Sequence, residues 1–169
     1  MSWELKQTII DLREAEINLE TPGEFGSREI NFALVYPNTY DIAMSNLGYH
    51  AIYSQLNRRG DVVCHRCVLP NKREIPVYRN SGIPLLALES LKPICDYDIL
   101  GFSISFELDY TNVLAIFDLA RIPARSSKRE HPLIIAGGPS VTFNPEPLAS
   151  FIDAFIIGEG EEVIHRVID

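Results

Sequence analysis

Two runs near the end of the chain decide the fold: Leu133-Ile134-Ile135-Ala136-Gly137-Gly138-Pro139, and Ala154-Phe155-Ile156-Ile157-Gly158-Glu159-Gly160-Glu161. Each begins as a short apolar stretch, which suits a strand buried on both faces. Each then breaks at glycine, where the missing Cβ lets something approach the backbone closely. The second glycine group opens a helix over 161–168. Two successive strands therefore end in glycines on one edge of a sheet, and in an open α/β sheet that edge is where ligands bind.

Working outward, the same alternation fills the chain. Residues 30–36 (INFALVY) read as the first strand, stopped by Pro37-Asn38. A helix then runs to about Arg59, with Tyr49, Ile52, Tyr53 and Leu56 on its buried stripe. Residues 62–69 form the second strand. A loop rich in charge and proline follows, then a short helix over 85–91. Residues 99–104 (ILGFSI) form the third strand, and 108–121 read as an amphipathic helix through Val113, Leu114, Phe117 and Ala120. Five strands separated by helices imply a parallel sheet with right-handed crossovers and helices on both faces. The expected strand order is 2-1-3-4-5, a flavodoxin-like, Rossmann-like α/β arrangement. Ahead of this domain, at 28–169, residues 1–27 are expected as a helical appendage. Its helix spans 2–19, with Leu5, Ile9, Leu12 and Ile17 on one face, and Thr21-Pro22-Gly23 breaks it.

At 169 residues, with 46% hydrophobic and 22% charged, the chain holds one ordinary globular core. Its net charge of −8 and lack of a long basic run argue against reading a nucleic-acid backbone. No apolar run approaches the ~20 residues that span a bilayer, and Met1-Ser2-Trp3-Glu4 does not begin a signal peptide. An odd count of three cysteines points to reduced thiols, hence a cytoplasmic setting.

The carboxyl ends of the expected strands carry Pro37-Asn38-Thr39-Tyr40-Asp41, Leu69-Pro70-Asn71, Ser103-Ile104-Ser105, Gly137-Gly138-Pro139 and Gly158-Glu159-Gly160. A phosphoacceptor domain needs a carboxylate after the third strand and a lysine after the fifth; serine and glycine stand there. A flavodoxin needs a hydroxyl- and glycine-rich phosphate cradle after the first strand, and a dinucleotide fold needs G-x-G-x-x-G there. Neither is present. What remains is a hydroxyl pair, Ser103 and Ser105, beside Gly137-Gly138 on the next strand. That pairing suits a long ligand arm passing down between strands, with glycines making room.

These residues, with Asn144-Pro145-Glu146-Pro147, Phe151-Ile152-Asp153-Ala154 and Gly158-Glu159-Gly160-Glu161, resemble the N-terminal cobalamin-binding-like domain of radical S-adenosylmethionine (radical SAM) proteins. The run from Tyr36 through Asp41 and Ser45 to Gly48, with Pro84-Leu85-Leu86-Ala87-Leu88-Glu89-Ser90, is similar to an uncharacterised, Fe-S oxidoreductase type subgroup of them. The resemblance covers about residues 28–169. It implies a module holding cobalamin, or a substrate, over a C-terminal barrel. That barrel carries a four-iron four-sulfur cluster on CxxxCxxC and uses S-adenosylmethionine. This sequence contains no CxxxCxxC, so the barrel, the module's implied partner, is expected beyond Asp169, and catalysis is not expected of this part alone. Of the signature D-x-H-x-x-G, S-x-L, G-G, the sequence offers Asp41, Ser45 and Gly48 without the histidine, Ser103 and Ser105 in place of S-x-L, and Gly137-Gly138 in full. The implied cofactor-binding set is Asp41, Ser45, Gly48, Ser103, Ser105, Gly137, Gly138, Gly158, Glu159 and Gly160. Three readings stay open: a corrinoid-holding module, a structural or substrate-docking cap of the same fold that binds none, and an unrelated binder of a nucleotide or small metabolite.

Other residues invite chemistry and supply none. Cys64 and Cys67 sit three apart on a strand, hence on opposite faces, and no second pair completes a zinc site. His50, two residues past Gly48, falls in the helix. His65, His131 and His165 make no ligand spacing. Glu107 and Asp109 either rim the site or open a helix. No catalytic constellation and no metal site emerges.

Overall fold

The computed structural model describes residues 2–17 and 21–169. Five parallel strands form one sheet in the order β2-β1-β3-β4-β5. They are β1 (Ile30–Tyr36), β2 (Val62–Val68), β3 (Ile99–Ser103), β4 (Leu133–Gly137) and β5 (Ala154–Phe155). The order is the one expected from the alternation of apolar runs, and the switch point lies between β1 and β3, which leave the sheet's middle in opposite directions. Central β1 reads as an apolar run because both faces are covered, residues 32–36 being buried, and all seven residues of the edge strand β2 are buried as well.

Among the described residues, seven α-helices surround the sheet: α1 (Ser2–Glu14), α2 (Tyr40–Met44), α3 (Leu47–Arg58), α4 (Ile75–Ser81), α5 (Tyr110–Ala120), α6 (Pro139–Phe143) and α7 (Gly160–Ile168). Register assigns the faces. Leu34 lies beside Gly101, Gly101 beside Ile135, and Ser103 beside Gly137, so these residues share one face. Helices α3 and α7 cover it, with Ile52 and Ile164 pointing toward the sheet. Helix α5 covers the other face, where Phe102 meets Phe117 edge-on at 5.5 Å.

Three expectations need correction. Residues 85–91 are not a helix; the helix lies upstream at α4, inside the stretch expected as a loop. Gly82, at φ 72°, ends α4, and Pro84 blocks a restart. Leu85, Leu86, Ala87 and Leu88 are all buried, which a surface helix with one apolar stripe would not achieve. Their backbone instead lines the open edge of β2, Leu88 N–H donating to Arg66 O at 2.7 Å. Second, the stripe of α5 excludes Leu114, which is exposed, and takes Ile116 and Leu119 instead. Third, α1 stops at Glu14 and Ile17 is exposed; residues 18 and 19 of the expected helix lie outside the described residues. Leu5 and Ile9 join the main core. Glu16 pairs with Arg66 on β2 at 2.7 Å.

Candidate functional site

A cavity of about 530 Å³ opens at the carboxyl edge of the sheet, between its α3/α7 face and those two helices. That size is typical of sites for small molecules and cofactors. Its walls are mostly apolar: Phe32, Leu34, Ile52, Ile135, Ile156 and Ile164. Gly101 forms part of the floor, and a Cβ there would lie 2.4 Å from the Phe32 ring. Phe32 therefore fills the space its neighbour vacates, and the floor is an aromatic ring rather than backbone.

Of the residues expected to bind a cofactor, the fold brings Gly48, Ser103, Ser105, Gly137, Gly138, Gly158, Glu159 and Gly160 around this one cavity. Asp41 and Ser45 are not among its lining. Asp41 is exposed in the first turn of α2. Ser45 caps the end of α2 and donates its hydroxyl to Ile42 O at 2.8 Å. Glu107 and Asp109 do not rim the cavity either. Asp109 is buried at 2% exposure and accepts from Asn38 Nδ2 at 2.8 Å. It braces the loops after β1 and β3, and burial pushes its carboxyl above the usual range despite the Asn38 and Asn112 amides.

The two glycines after β4 differ in their reasons. Gly138 has φ 108°, and an added Cβ would sit 2.5 Å from Ile104 O, so close passage of two backbones demands glycine there. Gly137 has ordinary backbone geometry, and a Cβ on it would make a normal 3.5 Å contact with Ile156. Room for a ligand is thus the business of Gly137 alone.

The polar groups in the cavity are hydroxyls and one amide. Asn46 caps α3, accepting from Tyr49 N–H at 2.9 Å, and donates Nδ2 to Ser105 Oγ at 3.0 Å. With its oxygen accepting, the Ser105 proton is left to donate. Thr142 Oγ1 likewise accepts from Gly158 N–H at 3.1 Å and keeps its proton free. Ser103 at the end of β3 adds a third hydroxyl. Among the described residues, no lysine, arginine or histidine lines the cavity, and its only charges are Glu159 and Glu161 at the start of α7. Two carboxylates with no cation beside them make an anionic group a poor fit. An uncharged ring bearing acceptor atoms is a good one.

Asn46, Thr142 and Phe143 line the cavity without having been expected at the site. Asn46 alone left a signal, since asparagine ahead of a helical stripe is a favoured N-cap. His50 is turned away, its Nε2 2.9 Å from Met44 O, and it is not among the lining residues. Cys64 and Cys67 are both fully buried free thiols. Among the described residues no group of His, Cys, Asp or Glu is arranged to hold a metal, and no helix is long and apolar enough to cross a membrane.

Residues 48–169 match the family described as radical SAM proteins, N-terminal. The chain belongs to this family. It is also similar to an uncharacterized protein of Methanocaldococcus jannaschii, 28% identical over 141 residues. That alignment takes in 82% of this chain and 26% of the relative, so the shared part spans about a quarter of the relative's length.

Proposed function

We propose that this radical SAM N-terminal domain is a cofactor module, which takes the uncharged aromatic base at the end of a corrinoid's nucleotide tail into the cavity between β3, β4 and the helices α3 and α7. The observation that carries the reading is the cavity itself: an apolar slot at the switch-point edge, where Ser103 and Gly137 lie side by side on the sheet wall and Ser105 and Thr142 add two more hydroxyls. The residues fit the tail's uncharged aromatic base, with Ser103, Ser105 and Thr142 as hydrogen-bond donors. They do not supply an axial base to cobalt, because His50 faces Met44 instead. When bound, a corrinoid supplies methyl-transfer or radical chemistry, and the protein's part is to hold and orient it. The expected beneficiary is a barrel elsewhere in the full-length protein, bearing the iron-sulfur cluster and S-adenosylmethionine.

The second reading, a cap of the same fold that holds no corrinoid, is favoured by that same turned-away histidine. Titration with hydroxocobalamin, followed by visible absorbance and calorimetry, separates the two. Saturable binding that is lost in Gly137→Leu, a substitution the backbone accommodates, supports the module. Absence of binding to the folded domain and to the full-length protein supports the cap. Gly138 is unsuitable for this test, since any side chain there strikes Ile104.

A further inference from the structure

We infer that the apolar rim around the cavity mouth is the face on which the remainder of the full-length polypeptide docks. Leu47 follows β1, Phe106 and Leu108 follow β3, Phe143 follows β4, and Ile157 follows β5, so one edge of the sheet collects all five. Leu108, Leu47 and Phe143 are 87%, 84% and 83% exposed, and Phe106 and Ile157 are more than half exposed. Large apolar side chains clustered on one face mark an interaction surface, whereas scattered ones need no explanation. Only Phe143 also lines the cavity, so a molecule filling the cavity would leave the other four in water. The rim therefore calls for an occupant of its own, and the inference stands whether or not the cavity takes a corrinoid.

Charge narrows the occupant. The loops that carry these five side chains, 37–47, 104–109, 138–143 and 156–161, contain no lysine, arginine or histidine, and Asp41, Glu107, Glu159 and Glu161 are exposed along them; the exposed cations of the same edge, Lys72 and Arg73, follow β2. A second copy meeting this face symmetrically would bring like charges together. The complement is an apolar surface fringed with lysine and arginine. The relative supplies the source, since three-quarters of its length lies outside the part it shares with this chain. The family occupies the N-terminal position in its proteins, so the occupant is the portion of the same polypeptide that follows.

The test uses the full-length protein with p-benzoylphenylalanine at position 108 or 143, and at exposed Trp3 as a control off the rim. After irradiation, peptide mapping should join the rim positions to peptides C-terminal to residue 169 within one molecule, with little such product from position 3. The double variant Leu108→Glu/Phe143→Glu should keep its circular dichroism and be cleaved between the two parts by trypsin about tenfold faster, as expected when charges enter an interface core. Crosslinked dimers, rim positions that give no crosslink, an unchanged cleavage rate, or a reading frame that ends at Asp169 would each overturn the inference.

Discussion

At the scale of single residues, three glycines of the ligand edge make different demands. Gly138 combines φ 108° with a backbone oxygen 2.5 Å from where Cβ would sit. Gly158 has φ 98° but open space around it. Gly137 has neither constraint. Gly138→Ala is therefore expected to cost about 3 kcal/mol or to prevent folding, since strain and clash add. Gly158→Ala should cost about 1 kcal/mol, the left-handed penalty alone. Urea unfolding of both variants checks the order, and equal losses would contradict the geometry. The sequence identifies all three as glycines at strand ends. Which of them could accept a side chain and which is demanded by the backbone depends on where Ile104 passes, and that is a tertiary fact.

At the scale of elements, the outer edge of β2 shows how an exposed strand is closed. Arg66 is buried on β2 and held from two directions. Its backbone N–H and Nε donate to the Glu89 carboxylate, both at 2.6 Å. Its Nη1 and Nη2 donate to Glu16 at 2.9 and 2.7 Å, and Tyr40 donates its hydroxyl to the same carboxylate. The guanidinium also stacks over Tyr53 at 5.2 Å. One cation thus ties the segment after α1 and the segment before β3 to the sheet. Arg66→Ala should cost about 3–5 kcal/mol in urea unfolding, because two buried carboxylates lose their counter-charge. A loss under 1 kcal/mol would show that the network is dispensable. The helix expected at 85–91 failed for the same reason that this network exists: residues 85–88 are recruited to cover an edge, and local propensity yields to that contact. The thiols of β2 make a further check. Cys64 and Cys67 are fully buried, and burial pushes both thiols upward. Ellman's reagent at pH 8 should leave them unlabelled in the native protein, Cys95 being the accessible one, and label all three in urea.

At the scale of the whole molecule, His65 links three parts of the chain. Its Nε2 donates to Gly23 O at 2.9 Å and its Nδ1 accepts from the Tyr97 hydroxyl at 2.6 Å, which meets Ser90 at 2.7 Å. Both ring nitrogens are satisfied in the neutral imidazole. Burial lowers its pKa, outweighing the pull of the Gly23 carbonyl and the Glu89 charge. The unfolded chain takes up this proton near pH 6.5, and the folded one only at lower pH. Stability present above pH 6.5 should therefore fall as the pH drops from there toward the folded value. Glu16 acts in the same direction lower down: burial raises its carboxyl, but the Arg66 and Tyr40 hydrogen bonds win and hold it below the usual range. Melting temperatures from pH 7.5 to 5 should decline, and His65→Gln should flatten the slope between 6.5 and 5. A slope unchanged in the variant would remove His65 from the account.

The sequence by itself determined the sheet, its order and the edge on which the cavity opens. Continuous apolar runs separated by helical stripes leave few ways to connect a parallel sheet, and glycines and prolines mark where each strand stops. Its period of two also put Ser103 and Gly137 within reach of one face. Only the tertiary structure decided that Asp41 and Ser45 stand outside the cavity, that Asn46 and Thr142 stand inside it, and that His50 turns toward Met44. Those outcomes depend on how far each helix is rotated over the sheet, which is set by packing between segments distant in the chain. A residue's own neighbours in sequence carry no record of that rotation.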